Sequence, residues 1–391
     1  MNEWLFYLVV LMLPIAAYSG YRLGKRGKRT SRKSKSHLSR DYFVGLNYLL
    51  NEQPDKAIDT FVQMLEVDSE TVETHLALGN LFRKRGEVDK AIRLHQNLIA
   101  RPSLLPQLRK LALFELGMDY MSAGLFDRAE SIFKELKPEP QHKAASLRQL
   151  MIIYQQTRDW TNAVSTAEQL QAVDHQDHAK EIAHFYCERA EQQLDLQDYK
   201  QAAASLKRAL QIDSACVRAS MLKADMAFQQ GTPKQAIKAY REVIRQNPAY
   251  VPEIIAPAER TFQSLRDEKG FKQFLERSLE HSHSASAVLA YAELVEKHDG
   301  EKAAAEFIAK QLQKHPSLKG LLKLIAMHIE HAQESAKPSL QMLYDIVDKS
   351  YQSKPSFLCQ TCGFSGKSLY WQCPSCKNWD TVQPLTGLGG E

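Results

Sequence analysis

Three patterns of apolar and polar positions follow one another along the chain. The first is an uninterrupted apolar run from Trp4 to Tyr21 without a charged side chain. At 1.5 Å per residue such a run just spans the roughly 30 Å hydrocarbon core of a bilayer. Pro14 would break a helix in water but is tolerated in lipid, and Trp4 and Tyr21 stand where amphipathic rings favour the interface. The second pattern, from about residue 41 to 350, has helical periodicity interrupted by glycine and proline. The third, from about 355 to 385, is too short and too rich in cysteine and aromatic residues to form a core of its own.

The middle segment repeats itself. Ala57, Ala91, Ala129, Ala163, Ala202 and Ala236, each behind a short polar step, are spaced 34, 38, 34, 39 and 34 residues apart. Twelve residues before them stand Gly45, Gly79, Gly117, Met151, Ala190 and Ala224, and four after them stand Phe61, His95, Phe133, Ala167, Leu206 and Tyr240. Small residues let paired helices approach, and Gly86, Gly124 and Gly231 supply turns five residues before the alanine. The two long spacings carry insertions at residues 101–106 and 171–178, where inter-repeat loops belong. A period of 34 resembles the tetratricopeptide repeat. The register is clear to about residue 250 and degenerate afterwards, with room for two or three further pairs. The fold class is therefore all-α: a tetratricopeptide-repeat solenoid with an N-terminal transmembrane helix and a small C-terminal ribbon. Such arrays build extended surfaces for peptides and proteins.

Charge sharpens the first boundary. Nine of the 51 lysines and arginines fall between Arg22 and Arg40 with no acid among them, leaving 42 basic against 45 acidic side chains from Asp41 on. The basic run follows the apolar run instead of preceding it, so residues 1–21 read as an anchor and not as a cleaved signal. The positive-inside rule places residues 22–40 and everything after them in the cytoplasm. A body without basic excess disfavours nucleic acid as a partner.

The chemistry is concentrated at the C-terminus. Cys359-Gln-Thr-Cys362 and Cys373-Pro-Ser-Cys376 place four thiolates in two knuckles ten residues apart, a donor set that suits one zinc or iron ion. Phe357, Phe364, Tyr370, Trp371 and Trp379 are expected to supply an apolar shell for a module too small to fold unaided. Cys187 and Cys216 stand alone in helical sequence, and His281-Ser282-His283 reads as a polar linker. There is no Gly-rich phosphate loop, HExxH or GxSxG, and the chain is not expected to be an enzyme.

The knuckles resemble rubredoxin and zinc ribbons, except that Lys377 stands where rubredoxin usually has glycine. The whole order, including Tyr42-Phe-Val-Gly-Leu-Asn-Tyr48 opening the first repeat, resembles the lipopolysaccharide assembly protein B family of Gram-negative bacteria. That resemblance implies an inner-membrane adaptor, N-terminus outside, that promotes degradation of the LpxC deacetylase by the FtsH protease. It also implies that Cys359, Cys362, Cys373 and Cys376 hold the metal. A scaffold gathering lipopolysaccharide-synthesis enzymes, or an iron-based redox protein, are the alternative readings.

Overall fold

A computed structural model of the chain describes residues 72–102 and 104–388, with a few isolated positions before them. The predicted span Trp4–Tyr21, the basic linker and the first repeat around Ala57 otherwise lie outside the described residues. Among the described residues, no helix is long and apolar enough to cross a membrane.

The described chain holds sixteen α-helices and a three-stranded ribbon. It divides into two compact units, up to Ile153 and from Tyr154. The first unit contains α1 (Val72–Lys84), α2 (Val88–Ile99), α3 (Pro106–Ser122), α4 (Phe126–Leu136) and most of α5 (Lys143–Gln156). The second contains α6 (Trp160–Asp174), α7 (Ala179–Asp195), α8 (Tyr199–Ile212), α9 (Val217–Gln229) and α10 (Pro233–Gln246), then a 3-10 turn at Pro248–Tyr250. It continues through α11 (Val251–Ser264), α12 (Glu268–His281), α13 (Ala285–Asp299), α14 (Glu301–Lys314), α15 (Leu318–His331) and α16 (Lys337–Ser353).

The repeated alanines sit where the period requires. Ala91, Ala129, Ala163, Ala202 and Ala236 are all fully buried, each four residues after the cap of the second helix of its pair. In the pairs built on Ala91 and Ala129, the residues twelve before are glycine because the residues four after are large. A methyl group on Gly79 would run into the His95 ring, and one on Gly117 would come within 2.8 Å of Phe133. His95 is itself held by Asp119, whose other oxygen takes Arg83 at 2.7 Å, so the close approach is locked by a buried charge network.

The turn five residues before each alanine is left-handed throughout. Gly86, Gly124 and Gly231 occupy it at φ 81°, 72° and 69°, and Arg158 and Gln197 occupy the equivalent places at 56° and 59°. That conformation costs a non-glycine residue about 1 kcal/mol or more. Capping offsets part of it: Asp159 and Asp198, next in sequence, accept from the amides of Asn162 and Gln201 at 3.1 and 3.0 Å.

Three pairs follow residue 250. The register fades there because its markers change while its geometry persists. Arg266 (φ 50°) makes the next turn, Asp267 caps α12 by accepting from Gly270, and Phe271 takes the place of the small alanine. In the pair after that, Gly300 serves as both the end of α13 and the start of α14, and Ala304 is the buried small residue.

Candidate metal centre and its seat on the helices

The ribbon consists of β1 (Phe357–Cys359), β2 (Ser365–Gly366) and β3 (Val382–Pro384), antiparallel in the order β2-β1-β3. Cys359 ends β1 opposite Val382. Each cysteine pair closes the same turn. The Gly363 amide donates to the Cys359 carbonyl at 3.0 Å, and the Lys377 amide donates to the Cys373 carbonyl at 3.0 Å. Both residues have positive φ, 76° and 61°, so Lys377 does the work of the missing glycine at the strain cost of a side chain in that region.

These turns bring the four sulfurs together. Cys359 Sγ lies 3.8 Å from Cys376 Sγ and Cys362 Sγ 3.7 Å from Cys373 Sγ, and all four lie within 4.8 Å of one another. The separations are far longer than the roughly 2.05 Å of a disulfide. They match the edge of about 3.8 Å that four Zn–S bonds of about 2.3 Å subtend in a tetrahedron. The donors therefore fit a single ion held by four thiolates. Cys359 and Cys373 are buried, Cys376 is partly covered and Cys362 is exposed, so one edge of the site faces solvent.

The sulfurs differ in how readily they ionise. The Thr381 hydroxyl, 3.4 Å from Cys359, helps lower that thiol to about 6, and the Phe364 amide lowers Cys362. The Asn378 amide also favours the Cys376 thiolate, but burial and the three neighbouring sulfurs outweigh it and raise that thiol to about 11. A dication at the centre would supply the positive charge that lets all four sulfurs ionise together.

The aromatic residues of the expected apolar shell have two sets of partners. Phe357 and Val382 pack with Cys359 and Cys373, with Phe364 and Leu369 beside them. Tyr370 is 42% exposed. The two tryptophans turn away from the sulfurs and seat the ribbon on the helices of the second unit. Trp379 lies against His184 (5.2 Å between ring centres, stacked), Phe185 (5.7 Å) and Trp160 (6.3 Å). Trp371 stacks on Tyr250 at 5.6 Å and 14°. Polar contacts fix the register: the Tyr250 hydroxyl donates to the Val382 carbonyl at 3.2 Å, and Gln155 Oε1 accepts from Gln372 Nε2 and Trp379 Nε1 at 3.2 and 3.4 Å.

Two buried polar residues underlie this seat. His184 on α7 is 1% exposed, and burial together with the nearby Arg218 and Lys180 charges lowers it to about 3, so it stacks as a neutral ring. Arg218 on α9 is 3% exposed, is paired with Glu188 and Glu191 at 2.9 Å each, and lies 5.9 Å from the Trp371 ring centre. Gln155, Trp160, His184, Arg218 and Tyr250 escaped the sequence reading. Nothing local marks them, because their partners stand more than a hundred residues away.

The remaining sequence candidates resolve as follows. Cys187 and Cys216 are not isolated: their sulfurs are 3.9 Å apart and buried, and burial raises the Cys187 thiol well above its ordinary value. His281 Nδ1 lies 2.9 Å from the Arg277 carbonyl, while His283 stacks face to face on His315. Parallel ring planes keep those two imidazoles from aiming at one ion. A further grouping, Glu301 with Glu330 and His331, is largely exposed, and within it His331 pairs with Glu301.

Fold and site together define a tetratricopeptide-repeat protein that carries a rubredoxin-type metal ribbon. The family model described as a rubredoxin metal binding domain matches residues 357–384, and tetratricopeptide-repeat models match 74–107 and 187–251. Over 385 residues the chain is 41% identical to lipopolysaccharide assembly protein B of Escherichia coli K12, covering 98% of this chain and 99% of that one. The Haemophilus influenzae protein of the same name is 37% identical over 390 residues, covering 97% and 98%. The chain belongs to the lipopolysaccharide assembly protein B family.

Proposed function

We propose that this protein is a non-enzymatic inner-membrane adaptor that limits lipopolysaccharide synthesis by presenting the LpxC deacetylase to the FtsH protease. The observation that carries this reading is the similarity to lipopolysaccharide assembly protein B across both the helical array and the ribbon, at 41% identity. The apolar run Trp4–Tyr21 followed by nine basic residues supports an anchor with the array on the cytoplasmic side. An anchor of this kind confines the adaptor to the plane of a membrane protease and raises their mutual effective concentration.

In this reading the ion is structural. Cys359, Cys362, Cys373 and Cys376 would hold a zinc or iron ion, which would neutralise their charge and tie the two knuckles together. The knuckles present Trp371 and Trp379 to α7, α9 and Tyr250, which braces the array. Elemental analysis and visible absorption of the purified protein distinguish the two metals, since an iron-thiolate site is coloured and redox-active.

The test of function is the half-life of LpxC after translation is blocked, with and without this protein. Depletion should lengthen it, and the difference should vanish in a protease-deficient strain. An unchanged half-life discards the adaptor reading and leaves a scaffold for lipopolysaccharide-synthesis enzymes, which shares the anchor and the array but leaves substrate lifetime untouched.

A further inference from the structure

A solenoid ends on a face with no neighbour, and terminal repeats ordinarily turn a polar face outward. The last helix of this array departs from that rule. One side of α16 packs inward through Tyr344, Val347 and Tyr351, in a cluster with Leu322 and Ile325 of α15. The opposite side presents Pro338, Gln341, Met342, Asp345, Ile346 and Lys349 along an open face of the helix. Their spacing of three and four residues makes them one continuous helical stripe. Met342 is 65% exposed, Ile346 56% and the adjoining Leu343 46%. Exposed leucines elsewhere, such as Leu125 and Leu196, stand singly and need no explanation; a contiguous stripe does.

We propose that this stripe binds the same stripe of a second copy of the chain, the two α16 helices lying antiparallel across a two-fold axis. The charge pattern selects both the occupant and its direction. Asp345 and Lys349 lie one turn apart beside the apolar positions. Parallel pairing would set Asp345 against Asp345 and Lys349 against Lys349. Antiparallel pairing sets each Asp345 beside the Lys349 of the other copy, with Ile346 and the Lys349 methylenes packed between them. An apolar strip flanked by one acid and one base is self-complementary, as an isologous contact requires. Within its own helix Asp345 accepts from Gln341 through one carboxylate oxygen at 2.8 Å, and its second oxygen serves the intermolecular pair.

A helix of 17 residues is about 25 Å long. One such face buries less than the roughly 800 Å² per partner of a standard interface, so the association is concentration-dependent, with a dissociation constant on the order of micromolar.

The experiment is sedimentation of the full, metal-loaded chain in detergent across the micromolar range. The wild type should pass from one copy to two. Asp345→Lys and Lys349→Asp should each weaken dimerisation at least tenfold, because each sets like charges together. An equimolar mixture of these two variants should dimerise again, because every contact in the mixed pair is then of opposite sign. Ile346→Asp should abolish association without altering the helical circular dichroism. A wild type that stays single throughout overturns the proposal. So does a dimer indifferent to these substitutions, or a mixture with no recovery. A single-copy protein in which an Ile346→Cys thiol resists labelling would also overturn it, showing that another segment of the chain covers the stripe.

Discussion

The helical array and the ribbon meet the same difficulty by opposite means. A single helix pair cannot bury its apolar face alone, and neither can a ribbon of thirty-odd residues. The array solves this by repetition: within each unit, a pair meets the next through positions about 34 residues away. The ribbon solves it twice at long range, by drawing four sulfurs to one point and by borrowing the aromatic surface of helices more than a hundred residues upstream. Local repetition tolerates degeneration. Phe271 replaces the buried alanine and Arg266 and Gln197 replace the turn glycine, yet the pairs persist. The ribbon has no such redundancy, and each of its anchors is used once.

Substitutions should expose that asymmetry. The largest effect belongs to Cys373→Ser. Structural zinc sites contribute on the order of 10 kcal/mol to small metal domains, so losing one buried thiolate should release the ion and unfold the ribbon. Metal content measured by elemental analysis should fall to background, while the far-ultraviolet helical signal of the array largely remains. Retained metal with a folded ribbon would mean that the four-sulfur site is not what holds this module.

Trp379→Ala comes next. It removes a buried ring from among Trp160, His184 and Phe185, a loss worth about 3–5 kcal/mol. The ion should stay bound while amide exchange rises in the ribbon and along α7. That combination separates the seat from the site. Simultaneous loss of metal would show that the two form one cooperative unit.

Acid should act through His184. Its folded pKa, about 3, lies below the ordinary 6.5, so the unfolded chain takes up the proton first. The stability this neutral ring contributes is complete above pH 6.5 and is lost as pH falls from there toward 3. At roughly 1.4 kcal/mol per pH unit, about 2 kcal/mol should be gone by pH 5. Denaturant titrations at pH 7 and pH 5 measure the loss, and His184→Gln should reduce the difference between them. An equal pH dependence in that variant would assign the acid sensitivity to other groups.

The smallest expected effect is a gain. Lys377→Gly places a residue without Cβ at φ 61°, where the first knuckle already has Gly363. The ribbon should become more stable by about 0.5–1 kcal/mol, read as slower release of metal to a chelator. A faster release would show that the lysine side chain contributes more than its backbone strain costs.

Much of this molecule was legible without coordinates. The alanine register from Ala91 to Ala236, the turns at Gly86, Gly124 and Gly231, and the convergence of Cys359, Cys362, Cys373 and Cys376 all follow from spacing. Spacing within a helix pair or a knuckle translates directly into distance. Where one marker stood in for another, as Phe271 for alanine, the pattern faded although the geometry did not. Trp371 and Trp379 read as part of an apolar shell for a module too small to stand alone, but the sequence does not show that this shell is completed by Trp160, His184, Phe185 and Tyr250 across the chain. Whether Cys187 meets Cys216, whether His283 faces an ion or another ring, and which helices receive the ribbon depended on how successive pairs stack. That stacking sums small rotations between neighbouring pairs, and no periodicity in one sequence records the sum. The sequence by itself determined the units and their chemistry; the tertiary structure decided which distant surfaces those units share, because burial of aromatic area is non-directional and selects partners only after the chain has been folded back on itself.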